Sequence, residues 1–158
     1  MTLEIDVVTD ENLTLALPLI ADYQRFYGQE PDEERNRAFF GDLVADDRLG
    51  LQLIAMDGGE AVGFATLYWV RTSTRATVDA LLNDLYVVPE YRGRGTEGVG
   101  TLLMRAAAKA AAERGYPVMN WETAPDNHSG QALYDRFNRE EPGRGSREIW
   151  YHYSYESE

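Results

Sequence analysis

The sequence predicts one α+β domain, residues 1–158, with a central, mainly antiparallel sheet flanked by helices. Three observations lead there. The chain has 158 residues, the length of one domain with room for a real core. Its centre reads as strands separated by glycine-containing breaks. Segments of helical period lie before and after that centre.

The elements follow in order. Leu3–Val8 alternates as L-E-I-D-V and reads as a first strand. Asp10–Gly28 reads as a helix with Asp10 as N-cap, and Pro18 is expected to kink or split it. Pro31 opens a second helix, to about Asp47. Proline at the first position, followed by acids in PDEE, suits the positive end of the helix dipole. The period then changes. LQLIAM (51–56) and AVGFATLYWV (61–70) are strands joined by Asp57-Gly58-Gly59-Glu60, a hairpin turn whose glycines accept positive φ. A break at 71–75 leads into a strand ending LLNDLYVV (81–88). Pro89 stops it. Val99–Arg114 is an alanine-rich helix with Gly115 as its C′ residue. VMNWET (118–123) is a strand, Asn127–Phe137 a short helix, and Arg147–Tyr155 a last, aromatic strand. That strand is an edge, and covering it by a second copy would make a homodimer.

Composition narrows the function. There is no cysteine, which excludes disulfides, thiolate zinc sites and a cysteine nucleophile. The acidic N-terminus has no apolar core followed by a cleavage site, and no apolar run reaches the ~18 residues of a membrane span. A cytoplasmic protein without a membrane partner is expected. Asp and Glu number 27 against 15 Lys and Arg, a net charge of −12, and Lys109 is the only lysine. Such an excess argues against nucleic-acid binding, which needs a basic face. It fits an acidic, halophilic surface adapted to molar salt, and equally an acidic cleft that attracts a cationic substrate. The acids are spread along the whole chain, which favours the first reading. The two are compatible.

YRGRGTEGVG (91–100) carries the chemistry. Gly93, Gly95 and Gly98 spell the dinucleotide fingerprint G-x-G-x-x-G, and Glu122 ends the next strand roughly where a ribose-binding carboxylate is expected. A redox enzyme using NAD is therefore one reading. The loop, however, follows two hairpins deep in the chain, and Pro89-Glu90-Tyr91-Arg92 separates it from its strand. Arg92 and Arg94 flank the first glycine, which suits a ligand with several phosphates. Gly-rich backbone and the free amides of the following helix form a ready pyrophosphate cradle.

LNDLYVVPEYRGRG…GVGTLL resembles the acetyl-CoA loop of the GNAT N-acetyltransferase family. WETAPDNHSGQALYDRF resembles that family's second element, W-x-T-x-x-x-N-x-x-A-x-x-L-Y, with Asn127 and Tyr134 seven apart. The resemblance spans about residues 81–137. Its N-D-L-Y-V and W-x-T wording is most similar to the branch that acetylates histone tails and polyamines. One departure is an insertion of about three residues within Arg94–Glu97, with Glu97 bringing a carboxylate toward the expected pyrophosphate.

The resemblance implies acetyl-CoA as cofactor. The pyrophosphate would lie against Arg92, Gly93, Arg94, Gly95, Gly98, Val99, Gly100 and Thr101. The backbone of Leu85, Tyr86 and Val87 would pair with the pantetheine arm, and Asn127 would bond it. Tyr134 is the expected proton donor to the leaving thiolate. The acceptor side is expected to involve Tyr27, Asn83, Asp84 and Glu122, with Tyr23 beside Tyr27. Asp84, Glu122 and Asp79 are each candidates for the base. His128 and His152 are too far apart in sequence for a metal pair and read as surface and structural residues. The reaction implied is direct, ternary-complex transfer of acetyl to a primary amine of a small cationic molecule or peptide. The alternative is a non-catalytic acyl-CoA-binding module of the same fold.

Overall fold

Gly58 and Gly59 both have positive φ, at 59° and 88°, and they close the hairpin between two central strands. The computed structural model describes residues 2–158 and contains β1 (Leu3–Val7), α1 (Leu13–Phe26), α2 (Glu33–Ala45), β2 (Gly50–Asp57), β3 (Glu60–Thr72), β4 (Thr77–Val87), α3 (Val99–Glu113), β5 (Met119–Asn120) and α4 (His128–Glu140). Short 3-10 turns at Pro89–Tyr91 and Gly95–Glu97 lie between β4 and α3. The chain divides into two compact units, Met1–Glu122 and Thr123–Glu158.

In the first unit the sheet order is β1-β2-β3-β4-β5. β1 to β4 are antiparallel neighbours, and β5 joins β4 in parallel. The register shifts between Ala55 and Met56, and again between Thr66 and Leu67. The second shift leaves Asn83 as an extra residue on β4. Bulges of this kind bend a strand and re-aim its side chains.

Each face of the sheet is covered by helix. Ile54, Phe64 and Tyr86 pack with Leu17, Ile20 and Phe40 of α1 and α2. α1 and α2 are tied together by a reciprocal amide pair, Gln24 to Asn36, at 2.8 Å in both directions. On the opposite face α3 lies close to Gly63, where an added Cβ would stand 2.9 Å from Val99 Cγ1 and 2.8 Å from the Tyr86 carbonyl oxygen. Val99, Leu103, Met104 and Ala107 are fully buried on this side. Burial of such side chains contributes roughly 1.5–3 kcal/mol each for the larger ones. α3 ends in a Schellman arrangement. Gly115, at φ 82°, donates to Ala112, and Tyr116 donates to Ala111.

Several expectations are corrected. α1 starts at Leu13, and Asn12 rather than Asp10 is its N-cap. The Asn12 side chain accepts from the Thr9 N–H, which fixes the approach to the helix. Pro18 lies inside α1 without ending it. Pro31 stands outside α2, because Asp32 is the cap and accepts from the Arg35 N–H at 2.8 Å. β5 shrinks to two residues.

The second unit contains α4 and the C-terminal segment. The expected strand over 147–155 does not form. Its alternating aromatics have no ladder to join: Ile149 is 89% exposed and Tyr155 90%. The start of the segment is held instead by side chains of α4, with Arg147 bonded to Asp135 and Gln131 and Asn138 bonded to the Ser146 carbonyl. The dimer contact expected through that strand loses its basis.

Candidate active site

The glycine loop begins where β4 ends. After Val87 the chain turns through Pro89–Tyr91, then passes Gly93 and Gly95, both in the left-handed region at φ 74° and 65°. L residues with a Cβ adopt that region at an energetic cost, so glycine is the residue the path calls for. Gly95–Glu97 form a turn closed by Gly98 N–H to the Gly95 carbonyl at 3.1 Å. α3 holds this turn in two places. Thr101 Oγ1 donates to the Gly95 carbonyl and Arg105 Nη1 donates to the Thr96 carbonyl, each at 3.1 Å. The turn is thus fastened to the first turns of α3.

Gly98 caps α3 without a side chain. Among the described residues no protein group accepts from the N–H of Val99, Gly100 or Thr101. These are the orphan donors of a helix start, and together with the helix dipole they attract an anion. The two arginines flanking Gly93 bond to the loop's own backbone. Arg92 Nε donates to the Val87 carbonyl at 2.7 Å, with its guanidinium 5.4 Å from the Tyr86 ring centroid. Arg94 Nη2 donates to the Glu90 carbonyl at 3.1 Å and stacks over Tyr91. Both brace the loop's own backbone while keeping it positive.

The strand edge before the loop is open. β5 pairs with β4 only at Ala80↔Met119 and Leu81↔Asn120. From Leu82 to Val87 the side of β4 that faces away from β3 has no strand beside it among the described residues. Val88 N–H donates to Val62, so alternation along the ladder turns the Tyr86 backbone groups to β3 and leaves those of Leu85 and Val87 on the open side. The Val87 carbonyl already accepts from Arg92. Such an edge can add an extended ligand as a strand.

Asp84 lies in this stretch and is 8% exposed. It pairs across the sheet with Thr66. The Asn83 amide donates to Asp84 Oδ1 at 3.0 Å, although simple alternation sends the two to opposite faces. The bulge explains the meeting. Burial pushes the Asp84 carboxyl above its ordinary 3.8, opposed by the polar groups of Thr66, Tyr23 and Asn83. Burial and the Asp84 charge raise the Tyr23 phenol strongly, and they push Tyr68 up to about 12. Tyr23 packs edge-on against Tyr27, with ring centroids 5.0 Å apart, and Tyr27 is 55% exposed. Tyr23, Tyr27, Asn83 and Asp84 thus gather on one side of the open edge. Glu122 is exposed just beyond β5.

In the second unit Asn127 is the N-cap of α4. Its Oδ1 accepts from the Gly130 N–H at 3.0 Å and its Nδ2 donates to Thr123 Oγ1 at 2.9 Å. Tyr134 follows two helical turns later on α4. His128 and His152 are exposed.

Sequence reasoning missed the loop's outer brace. The Tyr91 hydroxyl donates to Asp57 Oδ2 at 2.7 Å, and nothing local pairs two residues so distant in the chain. It also missed Arg105, which reaches back nine residues to the Thr96 carbonyl.

The acetyltransferase (GNAT) family model matches residues 17–138. The chain belongs to that family. An uncharacterized N-acetyltransferase of Bacillus subtilis is 33% identical over 124 residues, covering 78% of this chain and 80% of its own. An L-2,4-diaminobutyric acid acetyltransferase of Streptomyces coelicolor is 30% identical over 142 residues, covering 87% of this chain and 81% of its own. The crystal structure of a probable acetyltransferase superposes with a TM-score of 0.80 at 27% identity, covering 98% of this chain and 99% of the other. An aminoglycoside N-acetyltransferase in complex with CoA shares the fold, with a TM-score of 0.77 at 22% identity, covering 96% and 95%. As a GNAT protein the chain is an acetyl-CoA-dependent acetyltransferase, which removes the redox reading. The donor set fits that cofactor: three free helix amides for a pyrophosphate and an unpaired strand edge for an amide-bearing arm.

Proposed function

We propose that this GNAT enzyme acetylates a primary amine of a small cationic molecule or peptide by direct attack within a ternary complex. The observation that carries the proposal is Asp84, a buried carboxylate on β4 where that strand has parted from β5.

When bound, acetyl-CoA supplies an acyl group activated as a thioester. The chain supplies the rest. The amides of Val99, Gly100 and Thr101 hold the pyrophosphate, with Arg92, Gly93, Arg94, Gly95 and Gly98 shaping the approach. The backbone of Leu85 and Val87 aligns the arm and offers an N–H to the thioester carbonyl oxygen. An alkylammonium must lose a proton before its nitrogen can attack. Asp84 takes that proton, because burial makes its carboxylate a stronger base than an exposed one. Asn83, Tyr27 and Glu122 border the acceptor. Tyr134 gives a proton to the departing sulfur, the second proton shed by the attacking nitrogen restores the phenol, and Asn127 fixes the helix that carries it. No cysteine is present to form an acyl-enzyme, which supports direct transfer.

The relative that acts on diaminobutyric acid carries a name consistent with a small cationic acceptor. The N-D-L-Y-V wording supports the finer assignment to the polyamine and histone-tail branch. The test is thiol release from acetyl-CoA in molar potassium chloride with spermidine, diamino acids, aminoglycosides and lysine peptides. Release that depends on enzyme and on one amine class is expected. Equal release with acids, alcohols and amines would refute the assignment. Tyr134→Phe should lower kcat about 100-fold while acetyl-CoA binding stays unchanged. An unchanged kcat would remove Tyr134 from the mechanism.

A further inference from the structure

At the end of β4 remote from the glycine loop, Val70, Thr72, Asp79, Ala80, Leu81 and Asn120 line a pocket of about 230 Å3. Val70 and Leu81 share the Asp79 face of the sheet and form its apolar walls, and Asp79 is the charged group among them. Asp79 is 6% exposed. Its Oδ2 accepts from Arg75 and from the Asn120 amide, the latter at 3.2 Å. Its Oδ1 is buried and has no hydrogen-bond partner. A carboxylate oxygen removed from water without a donor is a costly and rare arrangement.

Arg75 reaches Asp79 from the turn between β3 and β4, and its own side chain is 49% exposed. The next residue, Ala76, has φ 49°, the one positive value at a non-glycine position among the described residues. The turn thus adopts an unfavourable backbone conformation beside a half-solvated cation that satisfies one carboxylate oxygen and leaves the other bare. Arg75 thus already pairs with one oxygen of the carboxylate from outside the pocket lining.

We propose that this pocket binds an alkylammonium group. Asp79 takes the charge, the Asn120 carbonyl oxygen and Thr72 Oγ1 accept further N–H bonds, and Val70 and Leu81 cover the methylene chain. A single carboxylate between apolar walls suits an organic monocation better than a hydrated metal ion, which draws on several oxygen ligands. Val70 pairs with Asp79 and Thr66 with Asp84, so the two aspartates share one sheet face. Their partners stand four positions apart along β3, about 13 Å at ~3.3 Å per residue. The site therefore lies apart from the proposed proton acceptor, and the inference rests on binding alone, whatever the fate of the transfer mechanism.

The experiment is an NMR titration of the full chain with n-butylammonium chloride. Saturable shifts are expected at the Val70 and Leu81 amides and at the Asn120 side-chain amide. Asp79→Asn should weaken binding at least about tenfold, and Arg75→Ala should strengthen it severalfold by removing the competing cation. Arg75→Ala alters an exposed turn, so it decides the matter even if Asp79→Asn fails to fold. An Arg75→Ala protein that binds no tighter than wild type would overturn the proposal. So would an absence of saturable shifts, or an Asp79→Asn protein that binds equally well. The same ammonium chemistry has two sources, and kinetics assign the one in use. A distal amine of the acceptor makes butylammonium raise KM with kcat unchanged; a separate effector makes it alter kcat at saturating acceptor.

Discussion

The Tyr91 hydroxyl donates to Asp57 Oδ2 at 2.7 Å, and this bond joins the start of the glycine loop to the β2–β3 hairpin. Asp57 also accepts from the Thr2 N–H at 3.1 Å. The Tyr91 bond is the main reason the Asp57 carboxyl is held below its ordinary 3.8. Tyr91→Phe should release the loop and raise KM for acetyl-CoA about threefold to tenfold, with kcat nearly unchanged. The pH dependence has a definite sign. A carboxyl whose pKa is lower in the folded state contributes stability above its unfolded value, and that contribution fades as pH falls through the folded one. The melting-temperature gap between wild type and Tyr91→Phe should be open near pH ~7 and close below about pH 4. A gap that widens in acid would contradict this account.

Asp84→Asn should reduce kcat/KM about 100-fold to 10,000-fold. Burial holds the Asp84 carboxyl above 3.8, so the acid limb of the wild-type rate profile should lie above that value and vanish in the variant. Stability runs the other way from Asp57. A carboxyl raised in the fold contributes most below its unfolded value, and the contribution is lost as pH rises through the folded one. The variant should therefore gain melting temperature relative to wild type on passing from acid to neutral pH. A variant that keeps the wild-type rate would transfer the role of base to Glu122.

Gly50 has no room for a side chain. A Cβ there would stand 2.0 Å from the Leu67 carbonyl oxygen, at the first pair of the β2–β3 ladder. Gly50→Ala should destabilise the protein by about 3 kcal/mol, since neither strand can move without breaking its register. Urea unfolding measures this, and a loss under about 1 kcal/mol would show that the strands part more easily than their pairing suggests.

The net charge of −12 predicts a response to salt. Repulsion among exposed carboxylates falls as the Debye length shrinks from about 10 Å at 0.1 M to 3 Å at 1 M. Melting temperature should rise between 0.1 M and molar potassium chloride. A flat response would rule out a surface adapted to salt.

The hairpin at 57–60, the α3 start and the α4 cap were all legible, because glycine, proline and asparagine act through the backbone nearest to them. Local signals also misled. Asp10, an acceptable cap by type, loses to Asn12, whose amide can reach both Thr9 and Val7. Alternating aromatics in 147–155 announced a strand, yet a strand needs a neighbour, and sequence carries no record of one. The meeting of Asn83 with Asp84 depends on a bulge set by pairing with β3, and Tyr91 finds Asp57 only once the hairpin has folded back. The features that were not legible are those whose partners are supplied by the tertiary fold.

Val99, Gly100 and Thr101 turn outward a chemical group that every amino acid except proline possesses. Replacement of their side chains leaves those donors in place, so an anion bound there answers to the path of the chain more than to its spelling. Such a site tolerates long divergence. The surrounding surface, with its acids and its acceptor-facing residues, can be rewritten for new amines or new habitats while the anion cradle persists in descendants whose letters have largely changed.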